Sequence, residues 1–472
     1  MSNDLHEVLS LAGGSLKLEG TSVAVVNAAL LRDSVEKLVE LSAVGAAGAA
    51  GWARYIVRGA ALELGIIPAS IHDLYLARGR GDVPLTFTVP AINLRALSFH
   101  AARAVLRAAA SMNAGALIFE IARSEIGYTG QRPAEYATNV LAAAIAEEYA
   151  GPIFIQGDHF QISAKKYAAD SEKEVQAVQS LALEALAAGF YNIDIDASTL
   201  VDLSKESIKG QQRTNFEVSA RLSALIRQHQ PPNVTVSIGG EIGEVGGRNS
   251  TEPELRAYMD GYLGAMQSLA PGAAGLSKIS IQTGTSHGGT VLADGTLARV
   301  DVDFGTLRHL SRVARSAFHL GGAVQHGAST LPEEAFGKFV ESEAVEVHLA
   351  TNFMTMFYDR IPDDLRREMY DWLGVQLASE RKAGMTDEQF FYKTRKNALG
   401  AFKAQAYGLP ESVKADLGTA WEAQFTKLFR FLGLPDTRPY VNRHVEAVAV
   451  TPRVADYVQD AGTAEDVSDL SD

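Results

Sequence analysis

From residue 86 to about residue 352 the chain alternates short apolar runs with longer stretches whose apolar residues recur at helical spacing. Runs of the first kind read as strands and stretches of the second as amphipathic helices, so the segment predicts strand–helix units around a parallel sheet. Eight runs stand out: Thr86–Asn93, Gly115–Ile121, Pro152–His159, Asn192–Ser198, Val234–Gly243, Ser277–Gly284, Gly321–Gly327 and Val345–Thr351. Between them Ser98–Asn113, Glu172–Ala188 and Pro332–Glu343 have the helical pattern. Eight units in one uninterrupted series predict an α/β fold of the (β/α)8 TIM-barrel type, which typically takes about 250 residues. A doubly wound open sheet is the competing arrangement.

On this reading residues 86–360 form the barrel, 1–85 an N-terminal helical extension and 361–472 a C-terminal helical extension ending in an acidic tail. Val23–Leu41 and Ala49–Leu64 carry the first extension, and Tyr370, Trp372, Phe390, Phe391 and Tyr392 mark the second. The tail from Asp460 to Asp472 has acids and no base, and is expected to be solvated.

Composition narrows the chemistry. The absence of cysteine removes disulfides, thiolate metal sites and a thiol nucleophile, which leaves His, Asp, Glu and backbone oxygen to hold any metal. With 43 Lys and Arg against 56 Asp and Glu, the net charge of −13 disfavours sequence-independent nucleic-acid binding. Asp4 and Glu7 stand where an export signal would be basic, and Arg54, Arg58 and Glu63 interrupt the longest apolar stretch. No export signal and no membrane span are read, and a cytoplasmic location is expected.

In such a barrel the chemistry sits where strands end. Here the runs end at Asn93, at Glu120, at Asp158 and His159, at Asp194 and Asp196, at Glu241, before His287, at His326, and at His348 and Thr351. Histidines converging from separate strands beside acids fit a catalytic metal site with one position left open for substrate. Gly284–Thr290 and His326–Glu333 are glycine-bearing loops whose backbone N–H groups suit an anion. Thr330 and Glu333 have capping-box spacing at the start of the next helix.

Seven segments in order resemble the class II, zinc-dependent ketose-bisphosphate aldolases, which include fructose- and tagatose-bisphosphate aldolases. They are Val89–Asn93, Gly157–His159, Gly189–Phe190 with Ile195–Ser198, Glu241–Gly243 with Gly246–Gly247, Gly284–Gly288, His326–Ser329 and Ala350–Thr351. The resemblance implies His159, His287 and His326 as zinc ligands, with Glu241 and Asp196 at an alternative metal position or orienting the ligands. It implies Asp158 as the acid/base at the bond that breaks. It gives Asn93, Gly288, Gly327, Ala328, Ser329, His348 and Thr351 substrate and phosphate contacts. The implied cofactor is one catalytic Zn2+, with a monovalent cation as a further candidate. The implied partner is a phosphorylated sugar, bound by a homo-oligomer, with no nucleic acid and no membrane involved.

Departures from the family pattern are informative. A lysine–x–asparagine in strand eight is replaced by Glu346-Val347-His348, and the mobile glutamate that returns a proton to the three-carbon product has two stand-ins, Glu244 and Glu252. Ala122 and Ser124 are equal candidates for a serine phosphate contact, while Arg123, Arg248 and Arg395 are candidates to bring charge to an anionic substrate. The expected reaction is reversible cleavage of a phosphorylated ketose into a dihydroxyacetone-phosphate-like fragment and an aldehyde. A metal-dependent sugar-phosphate isomerase or epimerase and a non-catalytic accessory subunit are the alternatives.

Overall fold

The computed structural model describes residues 3–243, 248–284, 302–328, 331–458 and 469–470. Eight parallel strands close a barrel: β1 (Val89–Asn93), β2 (Ile118–Ala122), β3 (Gly151–Gln161), β4 (Asn192–Asp196), β5 (Ser237–Glu241), β6 (Lys278–Ile281), β7 (Ala323–Gln325) and β8 (Glu346–Leu349). Each pairs with its successor in sequence, and β8 returns to β1 through Glu346 opposite Val89 and Leu349 opposite Ile92. The observed fold is the (β/α)8 barrel that the eight apolar runs predict.

The outer ring is α1 (Ser98–Ala110), α2 (Pro133–Ala146), α3 (Ser171–Ala188), α4 (Ile208–His229), α5 (Glu252–Leu269), α6 (Phe304–Phe318), α7 (Gly337–Glu341) and α8 (Thr351–Arg360). Capping fixes where several begin: Asp170 accepts from the Lys173 N–H at the head of α3, and Asp303 from Thr306 at the head of α6. The stretch 332–343 is broken into a 3-10 turn, Glu333–Ala335, and the short α7, not one helix. Thr330, half of the expected capping box, lies outside the described residues.

The first eighty-five residues are not purely helical. Leu16–Glu19 and Ser22–Val25 form an antiparallel hairpin, so the first expected helix starts only at Ala28 and runs to Val44. Ile66–Ala69 is a ninth strand, parallel to the lower half of β3 and in register from Ile66 opposite Gly151 to Ala69 opposite Phe154. It occupies the space below β4, where Asn192 donates to Ala69 O and accepts from the Ile71 N–H. The helix His72–Arg80 then crosses the barrel's N-terminal end. At the other terminus, Trp421, Phe425 and Phe429 of the helix Glu411–Phe431 are buried. Phe425 packs on Phe353 of α8 with ring centroids 4.5 Å apart. The tail is not wholly solvated: Asp469 meets Ser163 Oγ and Lys166 beyond the end of β3, and Leu470 is buried.

His72, at the head of the bottom helix, is buried with Nδ1 2.7 Å from Ser277 Oγ. Burial, with a smaller push from Arg227, lowers its pKa to about 4. An unfolded imidazole titrates near ~6.5, so between these values the unfolded chain holds more protons than the folded one. The stabilisation from His72 is complete above about pH 6.5 and disappears as the pH falls towards 4. Denaturation midpoints should therefore fall on acidification, and His72→Gln should flatten that limb. Parallel slopes for the two proteins would exclude His72 as a source.

Candidate active site

The geometry begins with an irregularity in β3. Its pairing with β4 runs Gly157 opposite Ile193 and then Phe160 opposite Ile195, so β3 carries one extra residue. Successive strand residues normally face opposite sides, but a bulge re-aims them, and His159 takes a left-handed φ of 38°. Asp158 and His159 are consecutive, yet both are buried in the barrel mouth. Gly157 is required here, because a Cβ on it would come within 2.4 Å of the Phe160 ring.

His159 Nε2 stands 2.9 Å from His326 Nδ1, the two rings arriving from β3 and from the end of β7. Their far nitrogens are anchored: His159 Nδ1 lies 3.2 Å from Asp196 Oδ2 and 3.4 Å from Glu241 Oε2, and His326 Nε2 lies 3.0 Å from Ser280 Oγ. Two imidazole nitrogens that converge while their opposite nitrogens are held by a carboxylate and a hydroxyl have the arrangement of metal ligands with their supporting shell. His159, Glu241 and His326 form one group able to hold an ion, and Asp158, His326 and His348 form another.

Electrostatics follow from packing charge into a dry barrel. Burial opposes charge on His159, yet Asp158, Glu241 and Asp196 hold its pKa well above the ordinary imidazole value. Burial and the neighbouring Asp196 push Glu241 up to about 7. Asp158, despite burial, is held well below the usual carboxylate range by His159 and His348.

Beneath this layer lies a second, wholly buried polar layer. Lys278 Nζ meets Asp194 Oδ2 at 2.8 Å, Gln156 Oε1 at 2.8 Å and the Glu346 carboxylate. Gln156 donates to Glu120 at 2.8 Å, and Tyr75 of the bottom helix donates its hydroxyl to Glu346. Gly239 leaves room for this packing, since a Cβ there would sit 2.4 Å from Asp194 Oδ1. Glu120, Asp194 and Glu346 of this layer stand out in the sequence as acids within the apolar runs, whereas Lys278, Gln156 and Tyr75 do not.

Most of the expected site residues converge. Asn93 donates to Asp158 Oδ2 at 3.1 Å and to Glu125 at 2.9 Å, and Arg95 Nε reaches the other Glu125 oxygen at 2.6 Å. His348 Nδ1 is 3.1 Å from Asp158 Oδ1. Gly327, with φ 69°, and buried Ala328 follow β7, while Thr351 heads α8 after β8, so these three lie at the ends of adjacent strands. His287, Gly288, Ser329 and Glu244 lie outside the described residues. Three basic residues proposed for an anion are engaged elsewhere: Arg123 is buried in a 2.6 Å pair with Glu174, Arg248 pairs with Glu254, and Arg395 donates to Thr355 at 2.7 Å and stacks on Tyr392.

A parallel eight-stranded barrel with clustered imidazoles and carboxylates at its C-terminal mouth belongs to the architecture in which barrel enzymes carry their sites, and the cluster suits a divalent ion. A profile of class-II fructose-bisphosphate aldolase matches residues 85–406, which spans the whole barrel and enters the C-terminal extension. The chain belongs to the class-II fructose-bisphosphate aldolase family.

No curated protein matches the sequence. Solved structures similar in fold include a probable tagatose 6 phosphate kinase from Sinorhizobium meliloti 1021, at 15% identity and TM-score 0.53, covering 75% of this chain and 98% of that one. The fructuronate-tagaturonate epimerase of Cohnella laeviribosi aligns at 11% identity and TM-score 0.50, over 89% of this chain and 90% of its own. The fructose-bisphosphate aldolase of Campylobacter jejuni aligns at 17% identity and TM-score 0.48, over 79% and 97%. At these identities the likeness is one of fold. Among the described residues no helix is long and apolar enough to cross a membrane.

Proposed function

We propose that this chain is a zinc-dependent aldolase that reversibly cleaves a phosphorylated ketose into a dihydroxyacetone-phosphate-like fragment and an aldehyde. The observation that carries the reading is the meeting of His159 Nε2 and His326 Nδ1 at 2.9 Å beside the buried carboxylate of Asp158. His159 and His326, with Glu241 and with His287 from the family pattern, would hold the ion. A divalent ion there supplies Lewis-acid stabilisation of charge developing at the ketone oxygen.

The chain's own part is the proton. Asp158 takes the hydrogen of the substrate hydroxyl at the bond that breaks, the O–H electron pair becomes the new aldehyde C=O, and the carbon–carbon bond pair passes to the carbon beside the ketone. In condensation the same carboxyl returns the proton. Asn93 orients Asp158 by donating to Oδ2, and His348 Nδ1 faces Oδ1 at 3.1 Å. The N–H groups after β7 and at the head of α8 suit a phosphate, as does Thr351. Of the two candidate proton donors to the three-carbon product, Glu252 is tied to Arg256 and His309 at 2.8 and 2.7 Å, which favours Glu244. A cytoplasmic homo-oligomer completes the reading.

One observation favours a second reading, a sugar-phosphate isomerase or epimerase: His348 and Asp158 place two proton-transfer groups 3.1 Å apart. The test is common to both. The purified protein, loaded with zinc, is incubated with a panel of ketose mono- and bisphosphates while three-carbon products are followed. Release of a three-carbon phosphate, abolished by a chelator and restored by zinc, is expected. Interconversion of isomers without cleavage of any substrate would replace the first reading by the second.

A further inference from the structure

His348 has a chemistry that the aldolase pattern does not give it. Its ring lies 4.0 Å, centroid to centroid, from that of His326, which places His326 in the middle of a row of three imidazoles with His159 on its other side. Asp158, His326 and His348 each bring one potential ligand atom within 4.8 Å of the others.

How the three atoms are held matters more than their distance. His348 Nδ1 stands 3.1 Å from Asp158 Oδ1 and 3.0 Å from Glu120 Oε1, all three atoms are buried, and none makes a properly directed hydrogen bond. Their other atoms are fully engaged. Asp158 Oδ2 accepts from Asn93 at 3.1 Å, and His348 Nε2 meets Glu346 Oε1 at 2.7 Å. Glu346 is in turn fixed by Lys278 and Tyr75. A histidine whose rear nitrogen is held by an anchored carboxylate, and whose front nitrogen faces two carboxylate oxygens without a directed hydrogen bond to either, is oriented as a metal ligand is oriented by its supporting shell.

The charge balance points the same way. Glu120, Asp158, Asp194, Asp196, Glu241 and Glu346 are all buried in or just above the barrel, against Lys278 and the imidazoles of His159, His326 and His348. Buried carboxylates in such excess require cations or coordinated metal.

We propose that His348 is a metal ligand, and that the divalent ion has a second station in this chain, formed by Asp158, His326 and His348, next to the His159–Glu241–His326 station. The two share His326, so they accept one ion between them. Occupation of the second station withdraws Asp158 from the substrate hydroxyl, which makes it a resting position. The proposal depends on the metal site of the preceding reading and not on the reaction assigned to it.

The test uses Co2+ as a spectroscopic probe on the full-length chain. One equivalent of Co2+ is expected to bind, and His348→Ala to weaken it more than ~100-fold in a chelator competition, beyond the ~10–100-fold that loss of a supporting partner costs. The visible d–d spectrum of the Co2+ protein should change in the same variant. His348→Asn, which fills the space and keeps an amide oxygen, serves if the alanine variant does not fold, and should give a spectrum distinct from the parent's. Affinities within twofold and superimposable spectra for parent and variant would overturn the proposal. Failure to cleave any ketose, with the His348 effect on Co2+ intact, would instead overturn the aldolase reading alone.

Discussion

Asp158→Asn should lower the rate of ketose cleavage at least ~100-fold, the lower end of what a positioned general acid or base contributes. The substitution keeps the size of the side chain and, with its single amide oxygen turned to Asn93, one acceptor, but removes the basicity that takes the hydroxyl proton. Asn93 still has an acceptor to bind, so the bulge at 157–160 should persist. At saturating zinc the variant should bind one ion per chain, as the parent does, which separates loss of proton transfer from loss of the metal. Steady-state rates on the substrate found in the panel, together with metal analysis, decide the matter. A rate within tenfold of the parent's would remove Asp158 from the chemistry.

Lys278→Met is expected to be the most damaging substitution for stability. The ammonium is fully buried and lies between two buried carboxylates, 2.8 Å from Asp194 and in contact with Glu346. Removing one member of a buried ion pair leaves the other charge unpaired in a medium that cannot solvate it, at a cost of about 3–5 kcal/mol. Here two carboxylates lose their partner, and Gln156 loses the donor to its carbonyl. Thermal unfolding should show a clear drop in midpoint, with part of the loss recovered in Lys278→Met/Glu346→Gln, where one stranded charge becomes a neutral amide. A melting temperature unchanged in the single variant would mean that the layer is not held together by charge.

The sequence and the structure agree where the physics is local. Alternation of apolar runs and amphipathic stretches marks all eight barrel strands, since each must bury one face on the helices and the other in the barrel. Polar ends of the runs single out Asp158, His159, Glu241, His326 and His348, which the structure brings together at the barrel mouth. Ile66–Ala69 escaped because four residues containing Pro68 look like a loop, and only the exposed edge offered by the lower half of β3 makes them a strand. Arg123 and Arg395 look identical to substrate-binding arginines in sequence. Their partners, Glu174 and Tyr392, come from other elements, and no local pattern announces them. The same holds for Lys278, Gln156 and Tyr75 of the buried polar layer, which come from separate elements.

The bottom helix has a consequence for how the molecule can be divided. Tyr75 reaches through the N-terminal end of the barrel to Glu346, which holds both Lys278 and the rear nitrogen of His348. A barrel trimmed at residue 86 would keep every proposed metal ligand and all eight barrel strands, yet lose the phenol that meets this carboxylate from below. Such a minimal enzyme would carry its catalytic mouth on an open floor, so the first eighty-five residues belong to the active site's foundations and not to its ornament.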